Sequence, residues 1–188
     1  MACANISGVL LAAGRGSRFG GNKLEAMLGG KMLGLYAAQT LAGIGCGHVF
    51  AVHDPANAKL AAALSAEGFT LIDNHAPEAG LSHSLSLAVE AAFDTDATAL
   101  LVCLADMPFV TSAHLAALIE ARDHGVVASA IRDARMPPAL FPRSSWPALA
   151  AATGDEGARP LLRDAFSVRG SAEMLADIDT RADLNRSS

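Results

Sequence analysis

Few side chains in this sequence carry a charge: Asp, Glu, Lys and Arg together make up 18% of 188 residues, and the formal net charge is -5. No run of one sign stands out. A protein whose main task is nucleic-acid binding needs clustered Lys and Arg against phosphates, so this balance excludes it. A basic membrane-surface patch and a charged tail are excluded for the same reason. An anionic substrate must therefore be caught at a local site. Cysteine is scarce too. Cys3, Cys46 and Cys103 show no CxxC spacing, which reads as the reduced thiols of a cytoplasmic protein. Cys103 lies in an apolar run and is expected in the core. No apolar stretch is long enough to cross a bilayer. Residues 8–13 resemble a signal-peptide core, but no basic residue precedes them and a glycine loop follows, so that reading is rejected. The six histidines lack metal-site spacing. Internal repeats, low-complexity tracts and linkers are missing as well, and the length suits one domain over residues 1–188.

What is present is alternation. Residues 6–13 form a nearly continuous apolar run, the pattern of a strand buried on both faces of a parallel sheet. Helical periodicity follows around 32–42, a strand at 48–53, and a helix at 56–66 with Gly68 as its stop. A short strand at 69–72 precedes a helix over 82–93 that starts at a Ser cap. Residues 98–104 are another buried strand, ending at Asp106-Met107-Pro108. Thr111 caps a helix over 112–123, and 126–131 reads as a strand. After residue 132 the pattern loosens, and Met136-Pro137-Pro138, Phe141-Pro142 and Trp146-Pro147 read as loop punctuation. Helical turns follow around 144–151 and 157–165, then a last apolar piece at 172–178. Strand and helix alternating at this pitch predict an α/β fold, a single doubly wound, mostly parallel sheet with helices on both faces.

The glycine loop carries the chemistry. Residues 10–23 read Leu-Leu-Ala-Ala-Gly-Arg-Gly-Ser-Arg-Phe-Gly-Gly-Asn-Lys. Glycines after a buried strand let several backbone N–H groups point at one phosphate. Arg15, Arg18 and Lys23 bring cations to the same spot. Lys23 is one of only three lysines, and a compact ammonium suits phosphate oxygens. The bland alternative is a surface turn with solvated charges. Two rival phosphate motifs fail on spacing: Phe19 stands where GxGxxG needs its third glycine, and Gly21-Asn22-Lys23-Leu24 is not the Gly-Lys-Ser/Thr of a P-loop.

The string Leu11-Ala12-Ala13-Gly14-x-Gly16-x-Arg18-x-Gly20-x-x-Lys23 resembles the signature loop of nucleotidyltransferases. Within that superfamily the chain is similar to the MobA-like group, whose members attach CMP or GMP to molybdopterin. The segment Gly80-Leu-Ser82-His-Ser84-Leu resembles the group's nucleotide-side stretch, and Leu104-Ala-Asp106-Met-Pro108 its metal-binding turn. Gly154-Asp-Glu-Gly-Ala-Arg159 and Asp177-Ile-Asp179-Thr-Arg-Ala-Asp-Leu184 resemble its C-terminal motifs. The pair Ala12-Ala13 looks more like the cytidylyltransferase branch. One segment departs: Arg135-Met-Pro137-Pro138-Ala-Leu-Phe141 lacks the glycine and histidine of the usual acceptor stretch.

The resemblance implies a Rossmann-like nucleotidyltransferase fold and a Mg²⁺-dependent reaction. CTP (or GTP) and molybdopterin or its molybdenum form would be the substrates, and a molybdoenzyme or its maturation chaperone would receive the product. Leu11, Ala12, Ala13, Gly14, Gly16, Ser17, Arg18, Lys23, Gly80, Ser82 and Ser84 would bind the nucleotide. Lys23, Arg18 and Asp106 would be catalytic, with Asp106 and Asp179 on the metal. Asp106 follows a buried strand at its carboxyl end, where open parallel sheets place their ligand crevice. The alternative role for Asp106 is a cap for the helix beyond residue 111, and for Asp179 a cap for the final helix. Ser82, Ser84 and Ser86 meet base or sugar, or else serve capping and a polar helix face. The competing functions are a sugar- or alditol-phosphate nucleotidyltransferase and a carrier without turnover. An ionised acceptor phosphate needs no general base, in keeping with the lack of a Ser-His-Asp or Cys-His arrangement.

Overall fold

A strand with no polar face must be covered on both sides, and this requirement fixes the centre of the molecule. A computed structural model describes residues 3–14, 16, 19–153 and 157–186. Among them β1 (Cys3–Ala12) lies between β4 (Cys46–His53) and β6 (Ala99–Leu104) and is parallel to both. Its side chains alternate between two cores. Ile6, Leu10 and Ala12 pack under one set of helices, while Val9, Leu11 and Ala13 pack under the other.

The small hairpin of β2 (Met27–Leu28) and β3 (Lys31–Met32) leads into α1 (Gly34–Ala42). Then come α2 (Ala58–Ala66), β5 (Thr70–Asp73), α3 (Leu81–Phe93) and, after β6, α4 (Ser112–Glu120). The chain continues through β7 (Val127–Ile131), β8 (Ala134–Pro142), α5 (Trp146–Ala150), α6 (Arg159–Leu162), β9 (Phe166–Arg169) and α7 (Arg181–Arg186). The sheet order is β5-β4-β1-β6-β8-β7-β9. Helices α1, α2 and α4 bury Leu41, Leu60, Leu64 and Leu115 on one face, and α3, α5 and α6 bury Leu85, Val89, Trp146 and Leu162 on the other. This is the expected mostly parallel, doubly wound α/β sheet.

Three local features depart from the expectations or lie outside them. The proline-rich stretch 134–142 is no loop: it is β8, the one strand of the seven-stranded sheet that runs against both its neighbours. Its partners pair as Ala128 with Ala139 and Ser129 with Met136, so Pro137 and Pro138 fall where the register shifts. A proline has no N–H for a ladder, and a bulge is where none is needed. Second, β9 breaks no hydrophobic pattern because it has none: three of its four residues are exposed at the sheet edge. Third, no Ser caps α3. The chain enters through Gly80 at φ 87°, a backbone region closed to most side chains, and Ser82 and Ser84 turn inward, each 5% exposed.

Other expectations hold. Thr111 Oγ1 accepts from His114 N at 3.3 Å and caps α4, although α4 ends at Glu120 and a 3-10 turn follows. Trp146, read with Pro147 as loop punctuation, instead opens α5; it is fully buried and donates Nε1–H to the Phe141 carbonyl at 3.1 Å. Cys103 is buried, and burial holds its thiol far above the ordinary range.

His114 braces the β8 bulge. Ser129 Oγ donates to the Pro138 carbonyl at 2.7 Å, so the His114 ring must donate Nε2–H to Ser129 Oγ at 2.8 Å. Burial lowers the His114 pKa below its usual 6.5. A depressed histidine supports the fold in its neutral form, so this contribution is present above about pH 6.5 and is lost as pH falls through the folded pKa. Urea unfolding between about pH 7.5 and about pH 5 is expected to show a steeper stability loss for wild type than for His114→Gln, which keeps an amide donor. Equal losses would remove His114 from the bulge's support.

Candidate active site

The carboxyl ends of β1 and β6 flank a topological switch point, because the chain leaves β1 toward β4 on one side and returns as β6 on the other. Ligand crevices of open α/β sheets form there. Leaving β1, the chain passes Gly14 and Gly16 and closes a turn in which Phe19 N donates to the Gly16 carbonyl at 2.8 Å. Gly16 has φ 56°, and a Cβ there would sit 3.0 Å from Lys23 Cβ and 3.1 Å from the Gly21 carbonyl. The absence of a side chain at position 16 therefore lets Lys23 fold back under the loop. A 3-10 turn, Lys23–Glu25, carries it inward, and Glu25 Oε1 fixes that turn to α2 by accepting from Leu60 N at 3.1 Å.

Lys23 is 7% exposed and bridges two acids. Its Nζ lies 2.8 Å from Asp106 Oδ2 and 3.0 Å from Asp179 Oδ1. Burial pulls the Lys23 pKa down, but Asp106 and Asp179 outweigh it and leave the value raised, so the group stays an ammonium. Two backbone bonds hold the acids together: Ala105 N donates to Leu11 O at 3.1 Å, and Ile178 N donates to Asp106 O at 2.9 Å. The second places Asp179 beside Asp106. Capping is handled elsewhere. Thr111 caps α4, and Thr180 and Asp183 cap α7 reciprocally, at 2.8 Å from Thr180 N to Asp183 Oδ2 and 3.2 Å from Asp183 N to Thr180 Oγ1. Arg181 ties the same segment to the glycine loop, with Nε 3.3 Å from the Phe19 carbonyl and its guanidinium over the Phe19 ring.

A cavity of about 270 Å³ opens beside this cluster, lined by Leu11, Ala13, Gly14, Lys23, Gly80, Ser84 and Asp106. Seven of the residues expected to serve the site thus share one wall. Gly16 supports the loop from behind. The Ala12 side chain turns to the opposite core, and Ser82 is buried without lining the cavity. Ser17 and Arg18 lie outside the described residues. A second cavity, about 570 Å³, shares Leu81 and Leu104 with the first and reaches Met107, Arg135, Met136, Pro137, Arg159 and Asp177. The departing Arg135–Pro137 segment forms one of its walls. Desolvation raises the Asp177 pKa, as do the charges of Asp179 and Asp106. Sequence reasoning assigned no role to Asp177, Arg181 or Asn74, the last described below.

The acids suit a divalent cation that arrives with phosphate. Asp106 Oδ1 is buried with no hydrogen-bond partner, an oxygen available for coordination. Two carboxylates, with phosphate oxygens and waters completing the shell, suit a hard divalent cation. No group of three His, Cys, Asp or Glu able to cage a metal occurs among the described residues. No helix among them is long and apolar enough to cross a membrane.

Residues 8–171 match the MobA-like NTP transferase domain. The purine catabolism protein PucB of Bacillus subtilis (strain 168) is 33% identical over 189 residues, covering 93% of this chain and 92% of its own length. Among solved structures, the homologue of Mycobacterium tuberculosis Rv0371c from Mycobacterium sp. strain JC1 is 25% identical with a TM-score of 0.83, covering 97% of this chain and 94% of that one. A nucleotidyl transferase from Methanothermobacter thermautotrophicus shares the fold at a TM-score of 0.82 and 24% identity, with 96% of this chain and 94% of that one covered.

Replacing Lys23 by Met leaves two part-buried carboxylates without their shared cation. The expected loss is about 1–3 kcal/mol, the scale of charge-assisted hydrogen bonds, reduced by the solvent access of Asp179. In a double-mutant cycle with Asp179→Asn, residues 23 and 179 should couple by at least about 0.5 kcal/mol in urea unfolding. Additive effects would mean that the bridge carries no energy.

Proposed function

The chain belongs to the MobA-like NTP transferase domain family, and from that premise we propose that residues 1–188 form one domain that transfers a nucleoside monophosphate, CMP by preference, from an NTP to the phosphate of molybdopterin or the molybdenum cofactor, with Mg²⁺ as the metal. The observation carrying this reading is the meeting of Lys23, from the glycine loop, with Asp106 and Asp179 at a cavity that also exposes Gly14, Gly80 and Ser84. The pair Ala12-Ala13 supports the cytidylyl donor.

In this account the NTP lies in the smaller cavity, its triphosphate over the glycine loop, and the acceptor phosphate approaches from the larger one. An acceptor oxygen attacks the α-phosphorus, the bond from that phosphorus to the β-phosphate bridging oxygen breaks, and pyrophosphate leaves. Asp106 and Asp179 would hold the divalent cation, which supplies charge neutralisation on the triphosphate. Lys23 places a second positive charge on the same oxygens, and the family resemblance would add Arg18 to it. The acceptor phosphate is already ionised near neutral pH, so catalysis rests on alignment and charge stabilisation.

A second reading concerns the acceptor. Arg135, Met136 and Pro137 replace the expected glycine–histidine segment on the wall of the larger cavity, and the 33%-identical relative is named for purine catabolism. The first favours a different phosphorylated acceptor at the same site, and the second a place in purine catabolism.

Pyrophosphate release, measured with molybdopterin and with CTP, GTP and ATP in parallel, tests the proposal. Turnover with CTP is the expected result. A preference for GTP would overturn the base assignment, and nucleotide binding without turnover would point to sugar or alditol phosphates or to a carrier. Asp106→Asn is expected to lower turnover by about 100-fold or more while the protein keeps its fold by circular dichroism. Retention of more than about a tenth of the activity would remove Asp106 from the metal.

A further inference from the structure

Asn74, just beyond β5, is completely buried although it has a polar side chain. Three of its polar groups have defined partners. Its backbone N–H donates to the His53 carbonyl at 2.8 Å, and its Oδ1 accepts from Ala76 N at 2.9 Å. Its Nδ2 donates to Ser84 Oγ at 2.9 Å. Asn74 thereby latches the turn after β5 to the first turn of α3, between the carboxyl end of the sheet and the smaller cavity.

The last of these bonds determines how Ser84 faces a ligand. The amide nitrogen of Asn74 is only a donor, so Ser84 Oγ must accept from it, and the hydroxyl proton must point elsewhere. No acceptor for that proton occurs among the described residues, and Ser84 is 5% exposed on the wall of the cavity that holds Lys23 and Asp106. The neighbouring wall is apolar, with Leu11, Leu81 and Leu104. A buried hydroxyl on the wall of such a space, its proton not taken up by Asn74, is placed to donate to a ligand acceptor.

Resting on the nucleotide reading above, we infer that Asn74 is a positioning residue that fixes Ser84 as a hydrogen-bond donor to the nucleobase, to a ring nitrogen or carbonyl oxygen at the end remote from the triphosphate. The lysine and the acids handle the phosphates, and the Asn74–Ser84 pair handles the base. Loss of this pair should therefore weaken nucleotides and leave a bare triphosphate chain untouched.

Calorimetric binding of CTP and of inorganic tripolyphosphate, each with Mg²⁺, separates the two. Asn74→Asp keeps the oxygen that accepts from Ala76 but replaces the amide donor, so the Ser84 proton turns away from the cavity to the new carboxylate. Ser84→Ala removes the hydroxyl and leaves Asn74 in place. Each variant should weaken CTP about tenfold and keep tripolyphosphate within about twofold of wild type, and the double variant should be no worse than either single one. The Ser84 variant keeps the test decisive even where Asn74→Asp impairs folding. Wild-type affinity for CTP in Ser84→Ala, or an equal loss of both ligands in either variant, overturns the assignment while the nucleotide reading stands. Wild-type protein that binds neither ligand overturns both.

Discussion

One ammonium group between two carboxylates organises the functional end of this molecule. Lys23 reaches Asp106 across 83 positions of sequence and Asp179 across 156, so a single buried cation joins the first loop, the end of the central strand β6 and the last segment before α7. Lys23 and Asp106 are largely withdrawn from water, and the cost of that is offset by their contact with each other and with the more exposed Asp179. The rest follows as a geometric consequence: Gly16 must lack a side chain for Lys23 to fold under its loop, and Ile178 must bond to the Asp106 carbonyl for the second acid to arrive.

The sheet makes that meeting possible. Parallel strands buried on both faces bring β1 and β6 out at the same edge, and the loops leaving them have little choice but to face each other. The reversed strand β8 then widens the site. Running against β6 and β7, it brings its amino-terminal residues Arg135, Met136 and Pro137 beside the acids, where a further parallel strand would place its carboxyl end. His114 and Ser129 support that turn from within the core. The two cavities meet at Leu81 and Leu104, a layout suited to two ligands reacting end to end.

Legibility in the sequence varied with how local the deciding physics was. The strands β1 and β6 could be read because burial on both faces leaves an unbroken apolar run. The helix starting near Thr111 could be read because a cap is a contact between near neighbours. The strand β8 could not, since its prolines are tolerated only through a register shift set by β7. The edge strand β9 carries too little buried surface to show a pattern. In the site, the glycine loop and Asp106 stood out from position and residue type, whereas Asp179 entered only through a resemblance to a family. Asn74 left no signal at all: a lone Asn after a short strand is an ordinary turn residue until the fold sets it against Ser84.

Lys23 and the two acids are proposed to form one phosphate- and metal-handling centre. Anomalous diffraction from crystals grown with Mn²⁺ and a non-hydrolysable CTP analogue tests it most directly. The account predicts a manganese peak at the Asp106 and Asp179 carboxylates, with Lys23 Nζ withdrawn from at least one of them onto the triphosphate. A metal bound away from both acids, or Lys23 still bridging them while the nucleotide lies elsewhere, would contradict it.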